Sequence, residues 1–87
     1  MAKKINQDIM SKTYSTFDLN LASVLLTAGC KLIELDRSNI KKVKFIFKHQ
    51  KGIERIINDF WDDKIILPAR TLLNNQKALK NRIYSDI

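Results

Sequence analysis

His49 is the only histidine in the chain and Cys30 the only cysteine. General acid–base chemistry needs a positioned proton carrier, and nucleophilic catalysis needs a base beside the nucleophile. His49 lies among lysines where a strand pattern gives way to a helix pattern, so it reads as a surface residue. Cys30 follows Gly29 at the expected end of a helix, where the dipole disfavours a thiolate. It reads as a small buried hydrophobe. Ser11, Ser15, Ser23, Ser38 and Ser85 lack a G-x-S-x-G setting. Gly29 and Gly52 alone cannot build a phosphate-cradling loop. Asp59, Asp62 and Asp63 are spaced i, i+3, i+4 and could offer oxygens to Mg²⁺ or Ca²⁺, but no glycine-containing loop supplies further ligands. A solvated helix end is expected there. The chain is therefore expected to be no enzyme, with no catalytic residue, metal ligand or cofactor.

Charge is the stronger signal. The 87 residues carry a net charge of +7. Residues 1–36 are neutral, with Lys3, Lys4, Lys12 and Lys31 against Asp8, Asp18, Glu34 and Asp36. The whole surplus lies after residue 36. Two spans, 37–53 and 64–85, hold no carboxylate at all. Such a field favours a polyanion, either nucleic acid (DNA or RNA) or an acidic protein. The expected nucleic-acid-binding set is Lys41, Lys42, Lys44, Lys48 and Lys51, with Arg70, Lys77, Lys80 and Arg82 from a final helix. Contacts of this kind track phosphates and carry little sequence information. Asn74, Asn75, Gln76 and Asn81 add amides to the same helix.

The elements that must position these side chains follow from periodicity. Residues 1–11 lack a pattern and are expected to form a mobile arm before a single domain, 12–87. Thr13 to Phe17 alternates as a short strand. Asp18 is suited to cap a helix that is apolar around much of its circumference from Leu19 to Ala28, and Gly29 is suited to stop it. Lys31 to Asp36 reads as a second strand. Val43 to Lys48 is a third, with Val43, Phe45 and Phe47 on a core face and Lys44, Ile46 and Lys48 on the other. The short connection predicts an antiparallel hairpin. Ile53, Ile56, Ile57, Phe60 and Trp61 give a helical stripe over about 51–62. Lys64 to Leu67 is β-rich and predicts a small fourth strand. Pro68 suits the first turn of a last helix. That helix has Leu72, Leu73, Gln76, Leu79 and Ile83 on its apolar stripe, and Arg70, Asn74, Lys77 and Asn81 on the opposite side.

The order β-α-β-β-α-β with an extra C-terminal helix is the split-βαβ, ferredoxin-like arrangement, an α+β fold. Without the fourth strand it is a three-stranded antiparallel sheet with three helices, β-α-β-β-α-α. The last helix has three possible places: over the second sheet face, at a sheet edge or in a dimer interface. A helix-turn-helix made by the last two helices conflicts with the strand-like 64–67.

The segments Tyr14 to Ala22, Val43 to Phe47, Asp59-Phe60-Trp61 and Leu79 to Tyr84 resemble a family of short domains of unknown function from bacteria, their phages and mobile elements. The resemblance spans roughly 13–85 and leaves the N-terminal arm outside. It implies a small accessory protein and transfers no activity and no catalytic residue.

The expectation is a non-enzymatic nucleic-acid-binding accessory domain. The alternative is a protein-interaction module, such as a homodimeric adaptor or an inhibitor of a host nucleic-acid enzyme. In that alternative, exposed Tyr84 and Ile87 would serve a homodimer. A lone cysteine, a start that lacks the apolar run of a signal peptide and the absence of a long apolar segment predict a cytoplasmic protein with no membrane partner.

Overall fold

Phe45 and Phe47 are buried, while Ile46 between them is half-exposed. That alternation belongs to a strand with one covered and one uncovered face. The computed structural model describes residues 12–85. It orders them as β1 (Thr13–Thr16), α1 (Leu19–Thr27), β2 (Leu32–Asp36), β3 (Lys44–Lys48), α2 (Ile53–Trp61) and α3 (Ala69–Ser85). The expected arm at 1–11, apart from its border with Lys12, and the proposed contact residue Ile87 lie outside the described residues. The fold is α+β, in the three-stranded form of the expectation.

β3 is the central strand, in the order β1-β3-β2, and pairs antiparallel with both neighbours. Tyr14 stands opposite Phe47, and Thr16 opposite Phe45. On the other side Leu32 meets Phe47 and Leu35 meets Phe45. Leu32 and Leu35 are three residues apart and would fall on opposite faces of a regular strand. A bulge between Leu32 and Glu34 absorbs Ile33 and resets the alternation, so both leucines reach the core.

α1 links two parallel strands across the sheet. The Leu21 amide donates to the Asp18 carboxylate at 3.0 Å, which caps the start of the helix. At its end Gly29 takes a φ of 100°. The Gly29 amide donates to the Leu26 carbonyl, and the Cys30 amide to the Leu25 carbonyl, as a Schellman stop requires. Residues 21–25 are all buried, so α1 is enclosed by the sheet and the other helices. Ser23 is buried without cost because its hydroxyl donates to the Leu19 carbonyl at 2.8 Å.

Ile53 from α2 and Leu79 from α3 join Leu21, Leu25, Phe45 and Phe47 in one core. All three helices therefore lie on one side of the sheet, and α3 does not cover its second face. Trp61 ends the expected stripe of α2 but is 61% exposed. Eight residues on from Ile53 the helix has turned about 80° past it, which puts Trp61 on the flank.

The fourth strand expected at Lys64–Leu67 does not form. Its first amide donates to the Asp59 carbonyl at 2.7 Å to close α2, and Pro68 after it has no N–H. Only Ile65, Ile66 and Leu67 are left between the stop of α2 and the proline before α3, and this short run stays with the helices and does not join the sheet. The β-like alternation survives only in the side chains: Ile65 and Leu67 are half-buried and Ile66 is 92% exposed.

Candidate nucleic-acid interface

The loop between β2 and β3 is shaped by its own polar side chains. The Ser38 amide and hydroxyl donate to the Asp36 carboxylate at 2.9 and 2.7 Å, and the Lys41 amide donates to Asn39 Oδ1 at 2.8 Å. The bonds from Ser38, aided by the charge of Lys44, hold the Asp36 carboxyl below its usual range. Between these turns Arg37 reaches across to α3. Its guanidinium donates to the Arg82 carbonyl at 2.9 Å and to the Ile83 carbonyl at 3.1 Å. These are among the carbonyls left open at a helix end, where a cation also meets the negative pole of the helix. The basic hairpin is thereby fixed to the end of the basic helix. Lys41, Lys42, Val43, Ile83 and Tyr84 line a depression of about 360 Å³ at this junction.

α3 is 17 residues long, about 25 Å at 1.5 Å per residue. Leu79 points to the core, with Leu72 and Ile83 half-buried beside it. Arg70, Asn74, Lys77 and Asn81, at i, i+4, i+7 and i+11, are exposed on the far side. The structure sorts the four amides. Asn75 donates to the Thr27 hydroxyl at 3.0 Å and Gln76 to Asn20 Oδ1 at 2.6 Å, so both serve the α1–α3 contact. Asn74 and Asn81 remain on the outer stripe.

The nine basic residues named from the sequence therefore divide. Lys41 at the hairpin meets the end of α3, which carries Arg82 and, two residues back and about 160° round the helix, Lys80; Lys42 borders the same junction but has its ammonium beside the Phe17 ring. Arg70 and Lys77 continue along the outer face of α3. Lys44 and Lys48 belong to the uncovered sheet face, on the other side of the molecule from that stripe. Lys51 stands apart at the start of α2, beside His49 and Gln50. Lys44 is half-buried; the other eight are exposed.

Phe17 was not singled out as a surface aromatic by its spacing. It follows β1 on the uncovered side, is 46% exposed, and has Lys42 Nζ at 5.8 Å and Lys44 Nζ at 5.5 Å from its ring centroid. The signal was its parity with Thr13 and Ser15, opposite to that of Tyr14. Phe45 and Phe47 are core residues, as their alternation predicts.

The residues weighed for catalysis are differently placed. His49 shares an open depression of about 230 Å³ with Tyr14, Glu54, Ile57 and Asn58. Burial, and then the charge of Asp18, push the Tyr14 hydroxyl pKa up, away from physiological titration. Cys30 is buried, and burial raises its thiol pKa. Asp63 occupies the left-handed position that ends α2, with φ 60°. Among the described residues no three His, Cys, Asp or Glu side chains gather closely enough to hold a metal ion. No described helix is long and apolar enough to cross a membrane.

Fold and surface define a small α+β domain, with a helical layer on one side of a three-stranded sheet and the other side uncovered by those helices. The chain belongs to the DUF5659 family, a domain of unknown function, which matches residues 11–85. Neither a curated protein nor a solved structure gives a significant match.

Proposed function

We propose that this domain binds nucleic acid without catalysing a reaction on it, through the surface where the hairpin tip meets α3. The observation that carries the reading is the outer stripe Arg70, Asn74, Lys77 and Asn81, on a helix with no carboxylate from residue 69 to 85. Arg37 joins that helix to Lys41 and Lys42. A helix of this length with cations and outward amides suits the edge or the major groove of a duplex. On this reading the chain is a small accessory protein of a bacterium, phage or mobile element, working in the cytoplasm.

Binding should be measured by fluorescence anisotropy on labelled duplex DNA and RNA. If Lys41, Arg70, Lys77, Lys80 and Arg82 each neutralise one phosphate, log K falls with log salt at a slope of about −4.5, a loss of about 500-fold between ~50 and ~200 mM. Arg70→Ala with Lys77→Ala should flatten that slope by about 2. No binding at low salt would remove the reading.

A second reading, a protein-interaction module, has one specific observation behind it. Val24, Phe60, Leu72 and Leu73 line a groove of about 250 Å³ between the helices. Trp61, in edge-to-face contact with Phe60 at 4.8 Å, and Leu73 remain exposed beside it. Sedimentation across a concentration series tests it, since a homodimer through this groove would be lost in Leu73→Asp.

A further inference from the structure

The uncovered sheet face carries its own recognition chemistry. Its β1–β3 half presents Phe17, then the cross-strand pair Ser15–Ile46, then the pair Thr13–Lys48. Lys42 and Lys44 sit beside Phe17. None of these is a carboxylate. Glu34 and Asp36 share the face from β2; Asp36 stands opposite Lys44 in register and its carboxylate is engaged by Ser38, which leaves Lys42 and Lys48 on this face without a carboxylate opposite them in the sheet.

Two ammonium groups within 6 Å of one ring are each attracted to its face and repelled by one another. A ligand that brings an anion to the pair and a flat ring to Phe17 satisfies both at once. Single-stranded nucleic acid offers that combination, a phosphate at every step and bases whose faces are free. In a duplex those faces are already stacked, so Phe17 has nothing to receive. The four residue steps from Lys44 to Lys48 extend about 13 Å along β3, enough to follow more than one nucleotide.

We propose that Phe17, Lys42 and Lys44 form a stacking site for a base of single-stranded nucleic acid, with Lys48 receiving a phosphate further along the strand. The proposal rests on the reading that the domain binds nucleic acid. It adds a second face, away from the outer stripe of α3, and a strand form that stripe does not require.

The test is anisotropy of a labelled oligothymidylate of about 15 nucleotides, and of a duplex of the same length, at ~50 mM salt. Phe17 is outside the buried core, so Phe17→Ala should keep the fold, verified by circular dichroism and melting. It should weaken single-strand binding about 5- to 150-fold and leave duplex binding within about twofold. Phe17→Tyr should restore single-strand affinity. Should Phe17→Ala fail to fold, Phe17→Leu keeps apolar volume without the π face and should show the same loss. Unchanged single-strand affinity in a folded Phe17→Ala or Phe17→Leu overturns the site. So does an equal loss for oligothymidylate and an oligoglutamate, which would mark a mere polyanion surface. Duplex binding with no single-strand binding removes this site and leaves the proposed function; binding of neither removes both.

Discussion

Asp63 gives the most direct test of the backbone described above. It is the one non-glycine residue with positive φ among the described residues. Its amide donates to the Phe60 carbonyl at 3.1 Å, and the Lys64 amide to the Asp59 carbonyl at 2.7 Å. This is the stop seen at Gly29, made with a residue that has a Cβ. A left-handed conformation costs a side-chain-bearing residue about 1 kcal/mol, somewhat less for aspartate. Its carboxylate also sits at the negative end of α2, which costs about 0.3–1 kcal/mol. Asp63→Gly removes both terms but frees the unfolded chain by about 0.4–1 kcal/mol. The net is a gain of about 0.5–1 kcal/mol, or a Tm rise of about 2–8 °C for a domain of this size. Asp63→Asn removes the charge alone and should gain a few tenths of a kcal/mol that vanish in ~1 M salt. Gly29→Ala is the opposing control. A Cβ there would meet nothing within 4 Å, so its loss, about 1 kcal/mol or more, would be backbone alone. Reversible thermal and urea unfolding read all three. A Tm that stays level or falls in Asp63→Gly, with cooperativity intact, would mean that the carboxylate makes a contact worth more than the strain, and would refute the reasoning.

Arg37→Ala uncouples the hairpin from α3. It should cost about 1–2 kcal/mol and speed hydrogen exchange in the last turn of α3, measured by mass spectrometry. Asp36 titrates below its unfolded value because Ser38 and Lys44 favour its charged form. Its contribution to stability is therefore present above the unfolded pKa and lost as pH falls through the folded one. Ser38→Ala should flatten the dependence of stability on pH in that acid window, as followed by urea unfolding at stepped pH. Cys30 is 3% exposed with a raised thiol pKa, so alkylation by iodoacetamide at neutral pH should follow the opening of the fold. A rate matching that of a free thiol would contradict its burial. Phe47→Ala removes a fully buried ring from the middle of the sheet. It should cost about 3–5 kcal/mol, enough to leave circular dichroism showing a largely unfolded chain.

Local rules made much of this fold legible. The alternation of β3, the Asp18 cap, the Gly29 stop and the stripe of α2 each depend on a few neighbouring residues, and the structure keeps them. What depends on distant partners was harder to read. Lys64–Leu67 has the residues of a strand, but the stop of α2 and the proline before α3 leave too short a run between the helices for it to reach the sheet. Ile33 gives no local sign that it will be looped out; the need to bring Leu35 to Phe45 decides that. The placement of the candidate side chains was half legible. Charge named them, and the alternation of β3 set Lys44 and Lys48 on the face away from the core, but adjacency in sequence did not show that Lys41 would lie apart from them, beside the end of α3. Asn75 and Gln76 looked equivalent to Asn74 and Asn81 until α1 supplied them with partners.

The bulge at Ile33 has a consequence for how copies of this chain can meet. β1 and β2 are both edge strands, and an unpaired edge invites another chain to extend the sheet. β1 offers only four residues. On β2 the looped-out residue breaks the spacing of amides and carbonyls that an incoming strand would have to match. The sheet is thus closed to growth without being covered, and association is directed to side-chain surfaces, where charge and shape can choose the partner.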